Sequence, residues 1–153
     1  MSMNLGEALS KLKKEKSRLA RLISLRKENV YTEKGKETKF NPKTLSNEID
    51  NKIEEIRKLK IKIQEVNLET KISGENITLA EAIIKVNDLR SKLAHLSVLF
   101  EKKESWLYRD KRENEMTPQL DELEIEDEIE KLENEKVILD NKIQAANWAT
   151  KLN

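Results

Sequence analysis

The chain contains no cysteine. Disulfide staples, thiolate nucleophiles and cysteine-ligated zinc or iron–sulfur centres are therefore excluded. His95 is the single histidine. A His-Glu-x-x-His zinc site cannot form, and neither can the paired Glu-x-x-His motifs of carboxylate-bridged metal bundles. Glycine occurs 3 times and proline 2 times in 153 residues. A sandwich or barrel needs many tight turns, and these are the residues that make them. The same scarcity rules out a glycine-rich phosphate loop. Aromatics are only 4% of the chain, so a core must rest on Leu, Ile, Val and Ala. No apolar run approaches a membrane span, and Met1–Leu12 lacks the apolar run of a signal peptide. The cytoplasm is the expected location.

Charge is what the chain has in quantity: 39% of residues, against 37% apolar. That balance suits long helices with one buried stripe and wide solvated faces. The apolar spacing agrees. A first helix is expected from Asn4 to Asn29, with Leu5, Ala8, Leu12, Leu19 and Leu22 as its stripe and Glu15 and Arg26 in the same register. Asn41-Pro42 is a cap followed by proline, and opens a second helix to Glu69 through Leu45, Ile49, Ile53, Ile56, Ile63 and Val66. Gly74 supplies a turn. Thr78 with Glu81 is a capping-box pattern for a third helix, striped by Leu79, Ala82, Val86, Leu89, Leu93, Leu96 and Phe100. Thr117-Pro118 repeats the cap-then-proline signal before a fourth helix ending near Asn147. The connections around Gly35 and after Trp106 leave room for short β arms. A helix of this length spans about 39 Å. The expected fold is all-α: one domain over 1–153, an elongated bundle of four long antiparallel helices.

Two patterns occur twice. Leu5-Gly6-Glu7-Ala8-Leu9 matches Leu79-Ala80-Glu81-Ala82-Ile83, and Ile63-Gln64-x-x-Asn67-x-x-Thr70-Lys71-Ile72 matches Ile143-Gln144-x-x-Asn147-x-x-Thr150-Lys151-Leu152. The offsets are 74 and 80 residues. Each half, 5–72 and 79–152, reads as a helical hairpin with one bare apolar face, and a second hairpin covers it. Asn67 and Thr70, like Asn147 and Thr150, share a helix face. Their plainest role is to end the helix, with Asn in left-handed geometry or bonding freed carbonyls. Two sharper roles are buried hydrogen bonds that fix register and, with Gln64 and Gln144, symmetric polar spots for a partner.

The net charge of +1 conceals a separation. Lys11–Lys27 holds eight bases and one acid, Glu15, whereas Glu113–Glu135 holds eleven acids and one base, Lys131. Such segments attract each other across a bundle or between subunits. Lys13, Lys14, Arg18 and Arg21 are the candidate contacts on the basic side. Nucleic acid is the less favoured partner, because no aromatic is interleaved with these cations for stacking. A membrane is disfavoured too: the basic helix has a broad polar face and no Trp or Phe on its apolar stripe. Trp148 is expected to close a bundle end or, as the alternative, to anchor a partner, and Trp106 ends the third helix in a similar way.

No chemistry is legible. His95 sits near an apolar stripe and reads as a boundary or packing residue. Glu15, Glu81 and Glu101 fall where a helix turns side chains inward, but 29 acids supply carboxylate pairs everywhere. We expect no enzyme, no cofactor and no metal. The function expected is a structural or protein-interaction module that forms a dimer or larger homo-oligomer.

The start Leu5-Gly6-Glu7-Ala8-Leu9, the junction Asn67-x-x-Thr70 to Thr78-Leu79-x-Glu81-Ala82, and the ending Leu139-Asp140-x-x-Ile143-Gln144-x-x-Asn147-Trp148-x-Thr150-x-Leu152 resemble the small helical bacterial proteins called septicolysin-like. The resemblance implies a helical bacterial protein. The family name implies a link to a cytolysin, hence membrane activity, but brings no mechanism and no functional residues to carry over.

Overall fold

The structure, a computed structural model, describes residues 2–101 and 116–153. It is all-α, with four helices among those residues: α1 (Leu5–Glu28), α2 (Pro42–Glu69), α3 (Leu79–Ser97) and α4 (Glu122–Ala149). They form two hairpins, α1 with α2 and α3 with α4. The residues group into two compact units, Met1–Thr70 with Ala146–Asn153, and Lys71–Ala145.

In the first unit, Asn4 opens α1 with a full capping box. Its Oδ1 accepts from the Glu7 N–H at 2.8 Å, and the Glu7 carboxylate accepts from the Asn4 N–H at 2.8 Å. Both orphan donors at the helix start are thereby satisfied. Buried Asn29 ends the helix and ties both ends of the connection that follows. Its Nδ2 donates to the Leu25 carbonyl at 2.8 Å, and its Oδ1 accepts from the Phe40 N–H at 3.2 Å. A β arm does not form there. The segment carries one turn, Lys36 N–H to the Glu33 carbonyl, with Gly35 at φ +82°. Tyr31 and Phe40 are exposed, so no apolar face exists to hold two strands together. Asn41 then caps α2 by accepting from the Lys43 and Thr44 N–H groups. Leu45, Ile49, Ile56 and Ile63 are buried along α2, with Leu5 and Ala8 buried on α1. Ile53 is exposed, since a strict seven-residue spacing through 49, 56 and 63 leaves it at the stripe's edge. The chain's last residues return to its first: the Leu5 N–H donates to the Thr150 carbonyl and the Leu152 N–H to the Met3 carbonyl, each at 2.8 Å.

In the second unit, the Ile72 N–H donates to the Ile77 carbonyl at 3.1 Å across a turn that Gly74 makes at φ +77°. Thr78 and Glu81 form the second capping box. Lys142 of α4 holds the turn through Glu75 at 2.9 Å. Ile72, Leu79, Ala82, Val86, Leu89, Leu132, Leu139 and Ile143 are buried. The α3 helix stops at Ser97 instead of reaching Phe100, and 98–101 form tight turns. Thr117-Pro118 does not open α4. Asp121 does, its carboxylate accepting from the N–H groups of Leu123 and Glu124 at 2.9 and 3.1 Å. Asp competes better than Thr for those donors because it is charged and faces the positive helix end. Leu120, ahead of the helix, and Leu123, in its first turn, are both exposed.

The duplication is written into the packing. Leu5 and Leu79 are both 0% exposed, and Ala8 and Ala82, Ile63 and Ile143, Asn67 and Asn147, and Ile72 and Leu152 are buried in pairs. The backbone crossing repeats as well: Asn4 bridges Lys151 as Thr78 bridges Lys71. These isolated bridges are the only β pairing among the described residues.

Candidate functional site

The interaction residues picked from sequence fall into three groups. Lys13, Lys14 and Arg21 are exposed on α1, while Arg18 is paired with Glu15 at 2.8 Å. Gln64 and Gln144 are exposed, and Asn67 and Asn147 are buried. Neither asparagine takes the left-handed geometry expected of a helix end, since no described non-glycine residue has positive φ. Neither side chain hydrogen-bonds a described residue, so they do not fix register through such bonds. Thr70 and Thr150 end α2 and α4 through their backbone, their N–H groups donating to the carbonyls of Val66 and Ala146 at 2.9 Å. Trp106 lies outside the described residues. Trp148 is 59% exposed, and its indole lies against Gly6. A Cβ built on Gly6 would lie 3.0–3.1 Å from three indole carbons.

His95 is exposed on the last turn of α3, not packed against the core. Of the three candidate inward carboxylates, Glu81 is used as a cap and Glu101 is exposed. No group of three metal-ligating side chains occurs among the described residues, and no described helix is long and apolar enough to cross a membrane.

Glu15 is the exception. It is 7% exposed, at the seam between α1 and α2. Arg18 reaches its Oε1, and the Lys52 ammonium stands 2.8 Å from its Oε2. Lys52 directs its hydrogen bond to Glu55 at 2.6 Å, so the shielded Oε2 has an ion pair but no well-aligned donor. The Lys52 ammonium, against the opposing effect of burial and with help from Arg18, holds the Glu15 carboxyl below its ordinary 4.5. Glu15, then Glu55, raise Lys52 above 10.5. The lowered carboxyl stabilises the fold fully above pH 4.5, and this contribution disappears as pH falls through the folded-state value. Glu15→Gln is therefore expected to flatten the acid limb of a stability–pH curve, measured by urea melts between about pH 3 and 6. An unchanged limb would show that the charge does not titrate with folding.

The acidic and basic segments each expose charges that have no ion partner among the described residues. Lys11, Lys13, Lys14, Lys16, Arg21 and Lys27 are exposed on α1 and have no ion partner among the described residues. Glu124, Glu126, Asp127, Glu130 and Glu133 of α4 are equally unpaired there, although Lys85–Glu135 and Lys92–Glu128 join α3 to α4.

A family model described as "Family of unknown function (DUF6847)" matches residues 12–152. The chain belongs to this family. A crystal structure of a functionally unknown conserved protein from Corynebacterium diphtheriae is similar to it over 100% of both chains, with 26% identity and a TM-score of 0.87. No curated protein matches the chain. Neither the family nor the Corynebacterium diphtheriae protein carries an assigned activity or a septicolysin name.

Proposed function

We propose that the protein is a non-enzymatic structural or interaction module whose partner is a second copy of itself. The supporting observation is the pair of unsatisfied charged surfaces on α1 and α4. Among the six like charges on α1, Lys11 with Lys14 and Lys13 with Lys16 repel one another at i,i+3 spacing. The acidic helix of a neighbouring copy would relieve that repulsion, and would be relieved in turn. Exposed pairs of this kind are screened by salt, whose Debye length shrinks from about 10 Å at 0.1 M to about 3 Å at 1 M. Molar mass measured by light scattering should therefore show a dimer or larger species at low salt that dissociates at high salt. A monomer at both salts overturns the reading.

The same six cations also favour an anionic polymer as partner. Salt-sensitive binding to DNA or RNA by a chain that stays monomeric would select that reading instead. The septicolysin-like resemblance adds a third, membrane activity by the basic amphipathic α1, which leakage from anionic vesicles tests.

A further inference from the structure

Laying one repeat over the other gives the pair of buried Glu15 and half-buried Lys52 a meaning that neither hairpin shows by itself. At offsets of 74 and 80 residues, Glu15 falls on Leu89 and Lys52 falls on Leu132. Leu89 and Leu132 are buried, at 7% and 8% exposure, as Glu15 is at 7%. The contacts Lys85–Glu135 and Lys92–Glu128 fix the antiparallel register of α3 and α4, and it sets Leu89 level with Leu132. Glu15 and Lys52 meet at the matching level of α1 and α2. One hairpin thus has a leucine pair where its twin has an ion pair.

A chain built from two similar hairpins has a sorting problem. The α1 helix begins as α3 does, and α2 ends as α4 does. Either first helix could therefore dock on either second helix, within one chain or between two. Apolar stripes alone discriminate poorly, because Leu and Ile repack at small cost. A charge placed opposite leucine behaves differently, since it is desolvated and loses its partner on the facing helix. If α1 docked on α4, Glu15 would face Leu132 and keep only Arg18 of its own helix. If α3 docked on α2, Lys52 would face Leu89 and keep only Glu55 of its own helix. Both exchanges are penalised, and the correct pairing alone gives each charge an opposite charge across the seam.

We propose that Glu15–Lys52 is a pairing-specificity device that directs α1 onto α2 and keeps the two repeats from exchanging helices. An apolar pair would hold the hairpin together at least as well, as Leu89 and Leu132 do in the other repeat. What the ions add is discrimination, in the manner of a single buried polar residue that sets register in a coiled coil.

The absence of native cysteine allows a direct test. Arg26 contacts Ser46 across α1 and α2 at 3.1 Å, and the repeat equivalent of Ser46 is Glu126. Arg26→Cys/Ser46→Cys reports correct pairing to a short bismaleimide cross-linker, and Arg26→Cys/Glu126→Cys reports exchange. Both pairs are placed in the full chain with Glu15 and Lys52 native, with Glu15→Leu/Lys52→Leu, and with the reversed pair Glu15→Lys/Lys52→Glu. Cross-linking follows refolding from urea. The double leucine chain should raise the 26–126 product severalfold over the native background, with an undiminished melting temperature. The reversed pair should keep the native ratio. If the double leucine chain cross-links as the native one does, the proposal is wrong. If it instead loses melting temperature with pairing unchanged, the ion pair is only a stabiliser and the proposal is equally overturned. Because the proposed contact between copies would also bring α1 against α4, the reactions are run at high salt and only the monomeric band is counted, so that exchange within one chain is read apart from self-association.

Discussion

Leu79→Ala and Leu5→Ala are each expected to lower the unfolding free energy by about 2–5 kcal/mol. Both side chains are 0% exposed. Each follows a helix cap, Leu5 after Asn4 and Leu79 after Thr78, so the residue is pinned by the capping box. A pinned helix start cannot slide to fill the hole that truncation leaves. The cost therefore combines lost burial with an unrelaxed cavity. Urea melts of the two variants measure it. Alanine at either site with a loss below about 1 kcal/mol would mean that the surroundings collapse after all. Because the residues hold equivalent places in the two repeats, similar losses are expected from both.

Gly6→Ala should destabilise the protein by about 1 kcal/mol, against the usual benefit of alanine in a helix. The new methyl group would sit 3.0–3.1 Å from Trp148 Cδ2, Cε2 and Cε3, inside contact distance. Moving Trp148 away to make room would give up its contact with Gly6. The other repeat shows the alternative solution: alanine at Ala80, the Gly6 equivalent, with Leu68 in place of the indole. Trp148→Leu should therefore reverse the sign, making Gly6→Ala neutral or stabilising in that background. A double-mutant cycle read by urea midpoint decides it. Additive effects would dissolve the link between the two positions.

These two features differ in how readable they were. The caps at Asn4, Asn41 and Thr78 and the whole of α2 follow from local chemistry, and the structure places them where spacing put them. Thr117-Pro118 misled because Asp121, three residues on, is the stronger cap, and local motifs do not rank themselves. Glu15 was legible as an interruption in the α1 stripe, but its partner was not. Lys52 is one of 30 bases, and only the hairpin register selects it. Gly6 carried no signal at all, since its meaning depends on a tryptophan at the far end of the chain. His95 lay beside leucines in sequence yet is exposed, because one step around a helix separates stripe from solvent. The charge separation was visible in full. What it binds depends on surfaces outside one chain.

The repeated backbone crossing has a consequence for how the polypeptide can be cut and joined. Around Gly74 the crossing is made by continuous chain, from Ile72 to Ile77. At its twin, Leu152 and Met3 make the same hydrogen bond with no peptide connection between them. The two crossings are equivalent corners of the repeat, one made by continuous chain and the other by hydrogen bonds. A linker of a few residues from Asn153 to the first residue would close it, and new ends could then be opened at the exposed turn by Gly35, giving a circular permutant whose buried contacts are those of the parent.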